Sequence, residues 1–129
     1  MGANEDGKVV VRRFWAALDE RDWAGAAATL APEYVGVWPQ SRERVVGREA
    51  FVAINEHYPG IWRITVERLA GEGDQAASRV SLTDHERGRT EVAVSFFTVR
   101  DGLIRHHEDW WPEPYDAPAW RSDWVEPMG

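Results

Sequence analysis

The apolar residues of this chain change their spacing once, at Pro59-Gly60, and that change constrains the fold more than any other feature. Before it they recur mostly three and four apart, as on helices, with one short strand between; after it they alternate, as on strands. Asn4 or Asp6 can cap a first helix that brings Val10, Val11, Phe14, Trp15 and Leu18 to one face and ends in the polar run Asp19-Glu20-Arg21. Asp22 can cap a second helix from Trp23 to Leu30, closed by Pro32. Tyr34 to Trp38 reads as a short strand and Pro39 to Val46 as a polar loop. Gly47 to Tyr58 reads as a third helix, with Phe51, Val52 and Ile54 available for burial.

Beyond the turn at Pro59-Gly60, Ile61 to Leu69 carries Trp62, Ile64 and Val66 on one strand face. Further strands are expected over Gln75–Thr83, Thr90–Arg100 and Leu103–Trp111, the last two joined by the tight-turn pair Asp101-Gly102. Pro112-Glu113-Pro114 ends the last strand, because proline cannot donate to a ladder. Helices followed by a strand meander imply an α+β cone: three N-terminal helices packed on a curved, mostly antiparallel sheet that encloses a pocket. The tail over 112–129 is irregular but aromatic, with Tyr115, Trp120 and Trp124, which suggests packing on the body or on a partner subunit.

With 129 residues the chain fits one domain, 1–129. It has no cysteine, which removes disulfides, thiolate nucleophiles and cysteine-ligated metal sites. A net charge of −7 disfavours nucleic acid. The single lysine, Lys8, leaves little basis for Schiff-base chemistry. No signal peptide or membrane span is evident, so a cytoplasmic protein with no membrane partner is expected. The eight tryptophans serve either as ordinary packing or as flat pocket walls.

The segment Arg105 to Trp111 concentrates the groups able to move protons. On a regular strand Arg105, His107, Asp109 and Trp111 share one face, and His106, Glu108 and Trp110 the other. Residues two apart stand about 7 Å apart along a strand, so His107 and Asp109 can meet directly or through a water. A free imidazole titrates at about 6.5, a nearby carboxylate raises that value and burial lowers it, so such a pair can move a proton near neutral pH. A surface ion pair is the plainer role for the same spacing, and a one-residue slip of register would bring His106 and Glu108 to the pocket instead. A metal site is not expected: His106 and His107 point to opposite faces, and a third ligand would have to come from His57. No nucleophile elbow or phosphate-cradling glycine loop occurs.

The chain resembles the nuclear transport factor 2-like superfamily, in its SnoaL-like and ketosteroid-isomerase-like branches. The resemblance rests on Val10-Val11-Arg12-Arg13-Phe14-Trp15, on Gly47-Arg48-Glu49-Ala50-Phe51, and on the ending from Arg100 to Trp111. It implies a histidine and an aspartate two residues apart on the last long strand, at His107 and Asp109, with the aspartate as acid/base. The ketosteroid isomerase set is not reproduced. Its hydroxyl donor would fall where Phe14 and Trp15 stand, and its strand carboxylic acid at Ser95. The Arg-x-Asp pair of limonene-epoxide-hydrolase-like proteins is Arg79-Val80-Ser81 here, without the carboxylate.

The resulting expectation is a cofactor-free enzyme of the SnoaL-like kind, an isomerase, cyclase or hydrolase, acting on a small apolar or carbonyl-bearing ligand. Asp109 and His107 would be catalytic. Arg105, Trp111, Trp15, Tyr34, Trp38, His57, Tyr58, Ser95 and Phe97 would line the ligand site. A non-catalytic binding domain and a purely structural interaction module are the alternatives. The resemblance also implies a homodimer.

Overall fold

Two aspartates start the first two helices. The computed structural model describes residues 6–129, so Asn4 lies outside the described residues and Asp6 is the cap seen. Its carboxylate accepts the Lys8 N–H at 2.8 Å and opens α1, Gly7–Asp19, which buries Val10, Val11, Phe14, Trp15 and Leu18. Asp22 accepts the Gly25 N–H at 2.9 Å and opens α2, Trp23–Ala28.

That second helix is shorter than its spacing predicts. Thr29 closes it, its hydroxyl donating to the Ala26 carbonyl at 2.7 Å, and Leu30 already belongs to β1, Leu30–Trp38. Pro32 therefore lies inside a strand, where the ladder to the neighbouring strand is interrupted between Leu30 and Val35 and no N–H is needed. The expected polar loop contains a second strand, β2, Glu43–Val46, which forms a hairpin with β1. Of its four residues only Val45 is buried, so an edge strand here carries almost no apolar alternation to read. Helix α3, Arg48–Glu56, follows and buries Phe51.

The second half is a meander: β3, Trp62–Glu72; β4, Gln75–Asp84; β5, Arg89–Arg100; β6, Leu103–Trp110. The Asp101-Gly102 turn between the last two has φ of 55° and 74°, the paired left-handed conformation of a two-residue hairpin. The six strands form one curved sheet in the order β2-β1-β6-β5-β4-β3, antiparallel except where β1 runs parallel to β6. Its concave face packs on the helices through a core that includes Phe14, Leu30, Tyr34, Phe51, Val80, Phe97 and Ile104. This is the expected α+β architecture. No helix among the described residues is long and apolar enough to cross a membrane.

The tail does not pack on the body. It forms one 3-10 segment, Ala119–Trp124, and leaves Tyr115 79%, Trp120 73% and Trp124 78% exposed.

Candidate active site

Strand β6 delivers the site, but not in the phase a regular strand would give. Thr98 pairs with His106 and Val99 with Ile104, so Arg105 is an extra residue opposite β5, a β-bulge. The bulge turns Ile104, His107 and Asp109 inward together. Arg105 is thereby displaced from the face it was expected to share with His107. It forms ion pairs with Glu33 and, at 3.6 Å, with Asp101, away from the cavity. His106 is exposed on the opposite face, so the slipped register does not occur.

A continuous polar chain runs through the inward pair. The Tyr34 hydroxyl lies 3.1 Å from His107 Nδ1. His107 Nε2 lies 2.5 Å from Asp109 Oδ1, close enough for an ion pair though not aligned as a hydrogen bond. Ser95 donates to Oδ1 of Asp109 at 2.5 Å, and the Trp38 indole donates to Oδ2 at 3.0 Å. The ring's protonation sets the first contact: with a proton on Nε2 alone the Tyr34 hydroxyl donates to Nδ1, and with both nitrogens protonated Nδ1–H donates to the hydroxyl. The geometry is held from behind. Phe97 stacks on the imidazole at 4.3 Å, and Phe14 meets it edge-on at 5.4 Å. Gly36 stands opposite His107 across the β1–β6 pairing, and a side chain there would come within 2.3 Å of the Tyr34 hydroxyl. That position therefore needs glycine to keep the hydroxyl in place.

The electrostatics follow from these contacts. Burial pushes the Asp109 carboxyl up. The adjacent His107 imidazole and the donors on Ser95 and Trp38 outweigh it, and the group is held below the usual carboxylate range. Burial, and then the Asp109 charge, raise Tyr34 far above the usual phenol range, so its hydroxyl stays neutral. The result is an ionised carboxylate, almost without solvent contact, beside an imidazole.

Above this pair opens a cavity of about 110 Å³. Its walls are Trp15, Trp23, Trp38, Phe51, Tyr58, Trp62 and Trp111, with Leu18, Ile54, Ile64 and Leu82 between them. His107 and Asp109 are part of the lining, and Arg21, Asn55, Gly60 and Glu91 complete it. Of the residues singled out in the sequence, Trp15, Trp38, Tyr58 and Trp111 border the cavity beside the pair. Tyr34, Ser95 and Phe97 touch the pair rather than the space. His57 lies outside it: it ends α3, with Nδ1 2.7 Å from the Ala53 carbonyl. Trp23, Phe51, Trp62 and Arg21 also line the cavity, although the sequence does not mark them as ligand-site residues. For Trp62 a signal existed, since it alternates with Ile64 on one strand face. Gln40 fixes Trp111 in place: its side-chain amide accepts the Trp111 N–H at 2.6 Å and donates to the Trp111 carbonyl at 3.1 Å. Among the described residues no three His, Cys, Asp or Glu side chains are grouped to hold a metal ion.

The comparisons agree with this architecture. The model of the SnoaL-like domain family matches residues 11–107. A candidate ketosteroid isomerase from Kribbella flavida superposes with a TM-score of 0.89 at 36% identity, covering 95% of this chain and 90% of that one. An NTF-2 like protein of unknown function from Burkholderia xenovorans gives 0.80 at 29% identity, covering 95% of each chain. An LEH-like epoxide hydrolase from M. tuberculosis gives 0.71 at 18% identity over 82% of each chain, a likeness of fold alone. No curated protein matches the sequence.

Proposed function

This chain belongs to the SnoaL-like domain family, and on that premise we propose that it is a cofactor-free enzyme that moves a proton on a small, apolar, carbonyl-bearing ring. One observation carries the reading: a buried carboxylate, held ionised, forms part of the lining of an aromatic cavity and contacts an imidazole. In this role Asp109 removes a proton from carbon next to a carbonyl, and His107 balances the charge and keeps the carboxylate in place. Returning the proton to a different atom gives isomerisation; attack of the enolate on a second carbonyl gives cyclisation. Hydrolysis would use the same base on a water. The cavity volume of about 110 Å³ limits the enclosed part of the ligand to one small ring, since an engineered cavity of roughly 150 Å³ takes benzene.

Asp109→Asn keeps the shape and removes the base. Turnover is expected to fall by about 100- to 10,000-fold, with affinity for a bound ring compound changed only a few-fold. Intact turnover in this variant would remove Asp109 from the acid/base role.

A second reading is a binding domain without catalysis. It is favoured by the degree to which the pair is already satisfied: both Asp109 oxygens and His107 Nδ1 have partners within the chain. A ring compound that binds but is recovered unchanged, with no exchange of its protons, would support that reading. For assembly, we propose a homodimer. It is supported by apolar side chains left open on the sheet and tail, with Val46 67%, Phe96 48% and Trp120 73% exposed.

A further inference from the structure

Arg21 occupies a position built for glycine. It follows α1 with φ of 58°, and its N–H donates to the Leu18 carbonyl at 3.1 Å to close the helix. A side chain in this left-handed conformation is disfavoured, and nothing in the turn calls for a long cationic one. The guanidinium nevertheless lies over the Trp23 ring, 5.2 Å from its centre, and both residues line the cavity. Arg21 is the one Lys or Arg in that lining. Among the described residues no carboxylate pairs with it, whereas Glu91, also in the lining, stands 3.8 Å from Arg89.

The indole N–H groups divide in the same way. Trp15 donates to Ser78, Trp38 to Asp109 and Trp62 to the Pro59 carbonyl. Those of Trp23 and Trp111 have no acceptor among the described residues. The cavity lining thus includes a committed anion, Asp109, and three residues with unused donor groups, the exposed Arg21 and the half-buried Trp23 and Trp111.

We infer that the ligand of this cavity is a small monocyclic carboxylic acid, with its ring among the aromatic walls and its carboxylate on Arg21. A planar guanidinium already resting on an indole offers the two-pronged donor geometry that a carboxylate accepts. The charge of Asp109 repels a second carboxylate, so the acid group faces Arg21 and the opposite side of the ring faces Asp109. The inference deepens the proposed function and rests on it for the chemistry, though not for binding.

Three probes of similar shape test it by tryptophan fluorescence titration: phenylacetate, phenylacetamide and phenethylammonium. Phenylacetate is expected to bind tightest, and more weakly as salt is raised. Arg21→Gly suits the backbone conformation, so the fold should survive; circular dichroism checks this. That variant should weaken phenylacetate by about tenfold or more and leave phenylacetamide within about twofold, with Arg21→Lys recovering part of the loss. Equal affinity for the anion and the amide, an equal effect of Arg21→Gly on both, or no binding of any probe overturns the inference. Tightest binding of the ammonium also overturns it and makes the cavity an aromatic cage for cations. Asp109→Asn, titrated alongside, keeps the two claims apart. Loss of its turnover concerns the acid/base reading, while anion preference that depends on Arg21 concerns this one.

Discussion

Asp109 is buried among polar partners, and each of them favours its ionised form. Ser95 and Trp38 donate to its two oxygens, and His107 adds its attraction, together outweighing burial. Because the folded-state value is depressed, the stabilisation is complete above the carboxyl's unfolded value and is lost as pH falls through the lower folded one. Activity should therefore hold on acidification until below the usual carboxylate range. Ser95→Ala removes one donor and should move that acid limb to higher pH, read from the pH profile of kcat/KM; an unmoved limb would mean Ser95 does not set the ionisation. His107 and Asp109 could be picked out in the sequence because a His-x-Asp pair on a strand has few ways to sit. The donors to them were less legible. Ser95, Trp38 and Tyr34 come from β5 and β1, and only the three-dimensional register brings them within 3.1 Å of the pair.

The elements show where simple alternation stops working. In β6 the bulge makes Arg105 the extra residue and takes it off the face that holds His107. A bulge leaves no mark in an otherwise alternating string, so Arg105 reads as a pocket residue and is instead a partner of Glu33 and Asp101. Arg105→Ala should accordingly leave ligand affinity unchanged and cost less than about 1 kcal/mol in denaturant unfolding, as partly exposed ion pairs do. A large loss of affinity would restore Arg105 to the site. β2 was hidden for a related reason: its one buried residue, Val45, gives no pattern. α1, by contrast, was plain, because its cap and its five apolar positions agree with one another.

For the whole molecule, the single change of hydrophobic period was enough to place helices against a meander, and the structure has that arrangement. Cavity size was beyond sequence, because it depends on how seven aromatic rings meet, not on their number. The tail is the other whole-molecule question. Its aromatic residues stand clear of the body, so deleting residues 115–129 should shift the unfolding midpoint of the monomer by no more than about 2 °C. If the tail serves the proposed homodimer, sedimentation should show weaker association in the same deletion. Unchanged association would leave the dimer to the open face of the sheet.

The central claim, that Asp109 moves protons on a ring held in the cavity, is tested most directly by hydrogen–deuterium exchange on enolisable cyclic ketones and keto acids in D2O, followed by NMR. The wild-type protein should speed exchange at the carbon next to the carbonyl in at least one ring that binds, and Asp109→Asn should lose that acceleration while still binding the ring. Exchange at the same rate with wild type, with Asp109→Asn and in buffer alone, for rings shown to bind, would contradict the claim and leave a binding domain.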